Sequence, residues 1–136
     1  METDKHSDSE LKEILLMKNI IVIGMSKNTE KDAYQIPKYM INNGYNVKPV
    51  NPTTDEILGK KCYKNLHEVQ GNIDIVNIFR PSEDVYPIVN DAIAKGVKVI
   101  WMQLGISDKE AMEEASKKGI KVIYNRCIMR EHRRLF

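Results

Sequence analysis

Two of the five arginines in the chain, Arg80 and Arg126, directly follow apolar runs that are typical of buried β-strands. A guanidinium group binds phosphate through several fixed N–H donors, so arginines at strand ends favour a phosphate-bearing ligand. Arg80 could instead pair with Glu83 or Asp84 at the start of the following segment, and Arg126 with Glu131. We interpret both arginines as candidate ligand contacts.

A glycine and a hydroxyl follow the first apolar run. Gly24 ends the run 19–23, and Ser26 and Lys31 lie in the loop behind it. Glycine allows the backbone to approach a ligand closely, and the N–H groups at the start of the next helix favour an anion such as phosphate. Alternatively, Gly24 only makes a tight turn and Lys31 is a solvated side chain.

The other apolar runs also end in residues that suit a binding site. Asn51 and Pro52 follow the second run, Gln103 and Gly105 the fourth, and Asn125 the fifth. Because the carboxyl ends of parallel strands meet at one edge of a sheet, we expect these residues to surround one pocket.

The loop after Gly24 keeps only the first of the three glycines in the dinucleotide fingerprint G-x-G-x-x-G. The acidic residue that binds ribose hydroxyls in such sites is replaced by Asn51 and Pro52. An uncharged side chain does not repel a ribose phosphate. The sequence therefore favours coenzyme A or NADP over NAD.

Five apolar runs alternate with segments at helical spacing. The predicted strands are 19–23, 45–50, 73–79, 97–101 and 120–124. The predicted helices are a leading helix capped by Ser9, then 33–43, 83–95 capped by Ser82, a helix from Ser107 with Glu110 completing a capping box, and 128–134. A short helix is expected near Leu66. This alternation predicts an α/β, Rossmann-like, doubly wound fold with a five-stranded parallel sheet and helices on both faces. The usual strand order 3-2-1-4-5 would place the ligand crevice between strands one and four.

Length and composition predict one globular domain, with a leading helix in residues 1–18 and the core in 19–136. The net charge of +2 is too balanced for a dedicated nucleic-acid binder, so we expect no nucleic-acid partner. The two cysteines lie far apart without zinc-ligand spacing, which predicts no metal site. The polar N-terminus and the short apolar runs predict no membrane association and a cytoplasmic location. The oligomeric state is left open.

Taken in order, the strand-end segments resemble the stand-alone CoA-binding domain family, whose fold is shared by the nucleotide-binding domain of the succinyl-CoA synthetase alpha subunit. The segments that carry the resemblance are IVIGMS at 21–26, PVNP at 49–52, IFRPSE at 78–83, WMQLGI at 101–106 and NRCI at 125–128. The resemblance implies that coenzyme A is the ligand. It implies a CoA pocket lined by Gly24, Ser26, Asn51, Pro52, Arg80, Gln103 and Gly105, with the phosphates near the first loop and Arg80.

No catalytic constellation is evident. His67 and His132 are interpreted as surface or helix-end residues, and Cys127 is either a thiol made reactive by Arg126 or a small buried hydrophobic residue. We therefore expect a binding module for coenzyme A or acyl-CoA that acts as a sensor, carrier or subunit without catalysis of its own. The alternatives are an NAD(P)-binding oxidoreductase or redox-sensing regulator, and a partner-binding protein that uses the arginine-rich C-terminal segment.

Overall fold

The computed structural model describes residues 1–136 and is built around a five-stranded parallel sheet. The strands of this sheet are β1 (Asn19–Ile23), β2 (Asn46–Val50), β5 (Ile75–Ile78), β6 (Val99–Met102) and β7 (Lys121–Ile123). A separate two-stranded antiparallel ladder joins β3 (Glu56–Ile57) to β4 (Lys60–Lys61). The predicted doubly wound α/β class is confirmed, whereas the small ladder was not anticipated.

The predicted strand order is wrong. The sheet runs β2-β1-β5-β6-β7, which is 2-1-3-4-5 when its strands are counted along the chain. The topological switch point therefore lies between β1 and β5, not between the first and fourth strands. Pro49 in β2 explains the difference, because proline has no N–H for a ladder and is confined to edge strands. In the order 3-2-1-4-5, this strand would have had a neighbour on each side.

Five α-helices cover the two faces of the sheet. They are α1 (Asp8–Leu15), α2 (Asp32–Asn42), α3 (Val85–Lys95), α4 (Lys109–Lys117) and α5 (Ile128–Leu135). Buried residues of α1, α2 and α5 pack with Ile20 and Val22 on one face, and those of α3 and α4 pack with Ile21 and Val76 on the other. Alternate side chains of each strand thus enter opposite cores. No helix is both long and apolar enough to cross a membrane.

Three of the predicted helix caps are corrected. Ser7, not Ser9, caps α1 and forms a reciprocal capping box with Glu10. Asp108, not Ser107, caps α4, and its carboxylate accepts a hydrogen bond from the Ala111 N–H. Ser82 caps no helix: it begins a short 3-10 turn, Ser82–Asp84, that precedes α3. For α1 and α4 a second side chain able to cap lay within two residues, so composition alone left the choice open, and α3 begins after the 3-10 turn without a side-chain cap.

The connection between β2 and β5 is tied to the end of β2. It contains the predicted short helix as a 3-10 turn, Leu66–Glu68. Tyr63 donates its N–H to the Pro49 carbonyl and accepts the Asn51 N–H, both at 2.9 Å. Tyr63 thereby forms an isolated parallel bridge with Val50, the last residue of β2, at the edge of the sheet. The two bonds hold the next residue, Lys64, beside the carboxyl end of that strand.

Candidate functional site

A cleft of about 500 Å³ opens at the carboxyl ends of β1, β2 and the loop after β5, a size typical of small-molecule sites. Six of the ten residues predicted from the sequence line it: Gly24, Ser26, Lys31, Asn51, Pro52 and Arg80. The lining also contains residues that the sequence did not single out for binding, among them Thr53, Lys64, Asn65, Leu66, Ile88 and Asp91. The cleft therefore lies at the carboxyl ends of β1, β2 and β5, beside the switch point between β1 and β5.

Gly24 brings the three strand ends together. Its φ is +84°, and a Cβ atom at this position would lie 3.1 Å from Arg80 Cδ and 3.2 Å from the Phe79 carbonyl oxygen. Its N–H donates to the Val50 carbonyl at 3.0 Å. Both the conformation and the close contacts require a residue without a side chain. Gly24 therefore forms the tight turn after β1 and part of the cleft wall at the same time.

The loop behind Gly24 leads into the start of α2 in a form that suits an anion. The Ser26 N–H donates to the Ala33 carbonyl at 3.1 Å, and Ser26 Oγ accepts the Asn28 N–H at 3.0 Å. The Ser26 hydroxyl hydrogen remains able to donate. Lys31 occupies the N-cap position of α2, and no side chain caps the helix there. The uncapped N–H groups of the first turn can therefore face a negative group, although Asp32 lies in the same turn.

Arg80 stands at the cleft wall with half of its side chain exposed, and its Nη2 donates to Asp84 Oδ2 at 2.7 Å. This is one of the pairings that the sequence left open. An exposed ion pair of this kind contributes about 0–1 kcal/mol, and the guanidinium has further N–H donors besides the one used. The pair uses one N–H donor of Arg80 and leaves the others available to a ligand.

Two lysines add positive charge to the cleft. Lys31 forms no ion pair within the chain, and Lys64 Nζ lies 3.3 Å from the Pro52 carbonyl and 3.5 Å from Asp55 Oδ1. The opposing acid in the lining is Asp91, which is paired with His67 Nε2 at 3.1 Å. The cationic side chains Lys31, Lys64 and Arg80 therefore outnumber the acids that face the same space.

Asn51 lines the cleft, but its side chain is occupied in holding the loops. Its Nδ2 donates to the Met25 carbonyl at 2.9 Å, and its Oδ1 accepts from both the N–H and the hydroxyl of Thr53 at 2.9 Å. The amide thus fastens the end of β2 to the loop after β1. Both acceptor positions of Oδ1 and one of the two Nδ2 hydrogens are used in this way, so Asn51 positions the wall and keeps one N–H donor.

Three predicted site residues lie outside the cleft at the far strand ends. Gln103 is buried, donates to Asn77 Oδ1 and lines a separate cavity of about 170 Å³ beside Cys127. Gly105 donates its N–H to Asn125 Oδ1 at 2.7 Å, and Asn125 Nδ2 donates to the Met1 carbonyl at 3.1 Å. Their polar groups are thus satisfied within the chain. They follow β6 and β7, on the other side of the switch point from β2.

Arg126 also lies outside the cleft, in an internal charge network. Its Nε donates to Asp4 Oδ2 at 2.9 Å and its Nη1 to Glu131 Oε1 at 3.2 Å. Burial acts to raise the pKa of Asp4, but hydrogen bonds from Arg126, His6 and the Tyr124 N–H outweigh it and hold that pKa below its usual value. The sequence left open a pairing of Arg126 with Glu131, and the structure contains it. Through its bond to Asp4, Arg126 also fastens the N-terminal segment to the end of β7.

The cleft lining contains no histidine and no cysteine. Cys127 is buried outside the cleft lining, and His132 Nδ1, also outside it, lies 2.7 Å from the Tyr39 hydroxyl. Burial lowers the pKa of His132. The cleft is equipped to bind and orient an anion.

Three comparisons with known proteins bear on this geometry. A family model described as a CoA binding domain matches residues 18–133. The chain is 39% identical to an uncharacterized protein, YneT, of Bacillus subtilis, over 93% of this chain and 94% of that protein. It is 33% identical to an ADP-forming acetate–CoA ligase of Methanocaldococcus jannaschii over 89% of this chain but only 18% of the ligase. A hypothetical protein from Pyrococcus horikoshii has a solved structure that superposes with a TM-score of 0.93 at 38% identity, covering 99% of both chains.

Proposed function

The chain belongs to the CoA-binding domain family, and from this premise we propose that it binds coenzyme A or an acyl-CoA in the cleft formed by the ends of β1, β2 and β5. Its role is that of a sensor, carrier or subunit that has no catalysis of its own. The M. jannaschii ligase is a much longer protein, and this chain matches 18% of it. The proposal is accordingly for ligand binding rather than for ligation.

The observation that carries the proposal is that Gly24, with its close contact to Arg80, lines the same cleft as three cationic side chains. Coenzyme A bears a pyrophosphate, which needs N–H donors and positive charge within reach of the backbone. The loop 24–31 provides the backbone approach and the uncapped start of α2, and Arg80 provides the guanidinium. A side chain at position 24 would fill the space against Arg80 and Phe79.

The apolar part of the same cleft suits the adenine ring. Ile23, Leu66 and Ile88 lie in its lining together with the polar loops. Ligand sites commonly combine apolar walls with a few placed polar groups, the walls burying the ring and the polar groups fixing its orientation. In this arrangement Arg80 and Lys31 bind the phosphates, and Asn51 keeps the loops in register.

Calorimetric titration with coenzyme A, acetyl-CoA, NAD, NADPH and ADP tests the proposal, after a thermal-shift screen of the same compounds. At a hundredfold excess over its dissociation constant, a specific ligand adds about 2.7 kcal/mol of stability. We expect the two CoA compounds to raise the unfolding midpoint most.

Arg80→Ala provides the test of the site, with Arg133→Ala as the control, since Arg133 on α5 is exposed and lies outside the cleft. We expect Arg80→Ala to weaken CoA binding about tenfold or more, as loss of a charge-assisted hydrogen bond does, and Arg133→Ala to leave it unchanged. Preferential binding of NAD or NADPH would support the redox alternative. Absence of any CoA binding would contradict the proposal.

A further inference from the structure

Lys64 occupies a position at the β2 end that dinucleotide-binding folds use for reading the ribose. In those folds an acidic residue shortly after the second strand accepts the ribose hydroxyls, and it disfavours a phosphate there by charge. In this chain β2 ends at Val50, and Asn51 and Pro52 follow without a charge. The ammonium group of Lys64 lies beside this strand end, 3.3 Å from the Pro52 carbonyl.

The backbone fixes where Lys64 stands. Tyr63, the residue before it, is hydrogen-bonded at both its N–H and its carbonyl to Pro49 and Asn51. Asn65, the residue after it, caps the 3-10 turn by accepting the Glu68 N–H on its side chain. The lysine is thus held between two anchored neighbours, and only its side chain is free to adjust.

The present partners of Lys64 are weak enough to be exchanged for a ligand. The Asp55 carboxylate is 3.5 Å from Nζ and its side chain is fully exposed, while half of the Lys64 side chain is exposed. A pair of this kind, in water and at long distance, contributes little to stability. A doubly charged phosphate in the cleft offers Nζ a stronger partner than Asp55 does.

The cleft accordingly presents positive charge at two places. Arg80 and Lys31 stand at the Gly24 loop and the start of α2, and Lys64 stands at the end of β2. A ligand needs two separate anionic groups to contact both places, and a pyrophosphate together with a phosphate on the ribose supplies them.

We propose that Lys64 binds the ribose phosphate of the ligand and makes the cleft selective for 3′-phosphorylated coenzyme A over 3′-dephospho-CoA. This inference rests on the proposed function, because it assigns one end of the same cleft. The other two cationic side chains of the lining, Lys31 and Arg80, belong to the loop before α2 and the loop after β5, so at the end of β2 the charge comes from Lys64.

The test is calorimetric titration of the wild-type chain and Lys64→Gln with coenzyme A and with 3′-dephospho-CoA. The control is Lys61→Gln, which removes the same charge from an exposed position in β4 that does not line the cleft. We expect the wild type and Lys61→Gln to bind coenzyme A about tenfold more tightly than dephospho-CoA, as a charge-assisted hydrogen bond provides. In Lys64→Gln the ratio should fall to about one or two, through weaker binding of coenzyme A alone.

The two ligands also separate the possible failures. Unchanged affinity of Lys64→Gln for dephospho-CoA shows that the variant is folded and that its cleft is intact. Equal affinity of the wild type for both ligands, or an unchanged ratio in Lys64→Gln, would overturn the assignment of Lys64 while leaving the cleft as a CoA site. Binding of neither ligand by the wild type would overturn the proposed function and this inference with it.

Discussion

Replacing Gly24 by alanine tests whether the turn after β1 is also the wall of the ligand site. Gly24 has φ +84°, where an alanine is strained by about 1–2 kcal/mol, and its Cβ would lie 3.1–3.3 Å from Arg80 Cδ and from the carbonyl group of Phe79. The Arg80 side chain can move, but Phe79 is held by its N–H bond to the Ile23 carbonyl at 2.9 Å. We expect a loss of about 2–3 kcal/mol in total, since crowding of this kind costs about 1 kcal/mol or more.

Gly44→Ala is the matched control. Gly44 has φ +88° and nothing within 4 Å of a Cβ atom, so this substitution introduces the backbone strain without the crowding. We expect it to cost about 1–2 kcal/mol and to leave CoA affinity unchanged. Gly24→Ala should in addition weaken CoA binding about tenfold, because the displaced Arg80 side chain loses charge-assisted hydrogen bonds to phosphate.

Urea unfolding gives the stabilities of the two variants, and calorimetry gives their CoA affinities. In thermal unfolding, the midpoint temperature of a domain of this length should fall by about 3–4 °C for each kcal/mol of stability lost. Equal destabilisation of the two variants would show that contact with Arg80 and Phe79 is unimportant. Wild-type CoA affinity in Gly24→Ala would refute the reasoning that joins this turn to the site.

Two further predictions concern the charge pairs. Asp84→Ala releases Arg80 from its ion pair, and we expect calorimetry to show that CoA affinity rises about threefold. Because the Asp84 side chain caps no helix, the free energy of unfolding should change by less than about 1 kcal/mol. Weaker CoA binding would show that the pair is needed to orient Arg80. Asp4 has a lowered pKa in the folded protein, so its stabilising effect is present above the unfolded value of about 3.9 and disappears as the pH falls through the folded value. In urea unfolding we therefore expect Asp4→Asn to be less stable than the wild type at pH 7 and to approach the stability of the wild type below about pH 4. The exposed control, Glu113→Gln, should match the wild-type stability at both pH values. A loss of stability in Asp4→Asn that does not change with pH would contradict the linkage.

The alternation of apolar runs and helical segments was sufficient to predict the α/β class and the positions of the five parallel strands. It could not determine their order, because order depends on which strands pair at long range. Pro49 carried that information, since a residue without an N–H favours an edge strand. Helix starts were misplaced by one or two residues wherever two capping side chains were close together, as with Ser7 and Ser9.

The strand-end loops were sufficient to predict part of the cleft lining. Gly24, Ser26 and Arg80 line the cleft because they follow β1 and β5, which are neighbours in the sheet. Gln103 and Arg126 follow strands further along the sheet, and their polar groups have partners inside the chain, which no local pattern reveals. Lys64 was missed because it lies in an irregular connection that only long-range hydrogen bonds attach to β2.

Mapping coenzyme A onto the chain by amide chemical shifts tests the central claim most directly. We expect saturable shifts of the amides in loop 24–31, at 51–53, at 64–65 and at Arg80, the segments that form the cleft. Gly96 and Gly119, in a surface depression between the other strand ends, should not respond. Shifts confined to that opposite edge, or to the cavity beside Gln103, would contradict the assignment of the cleft as the CoA site.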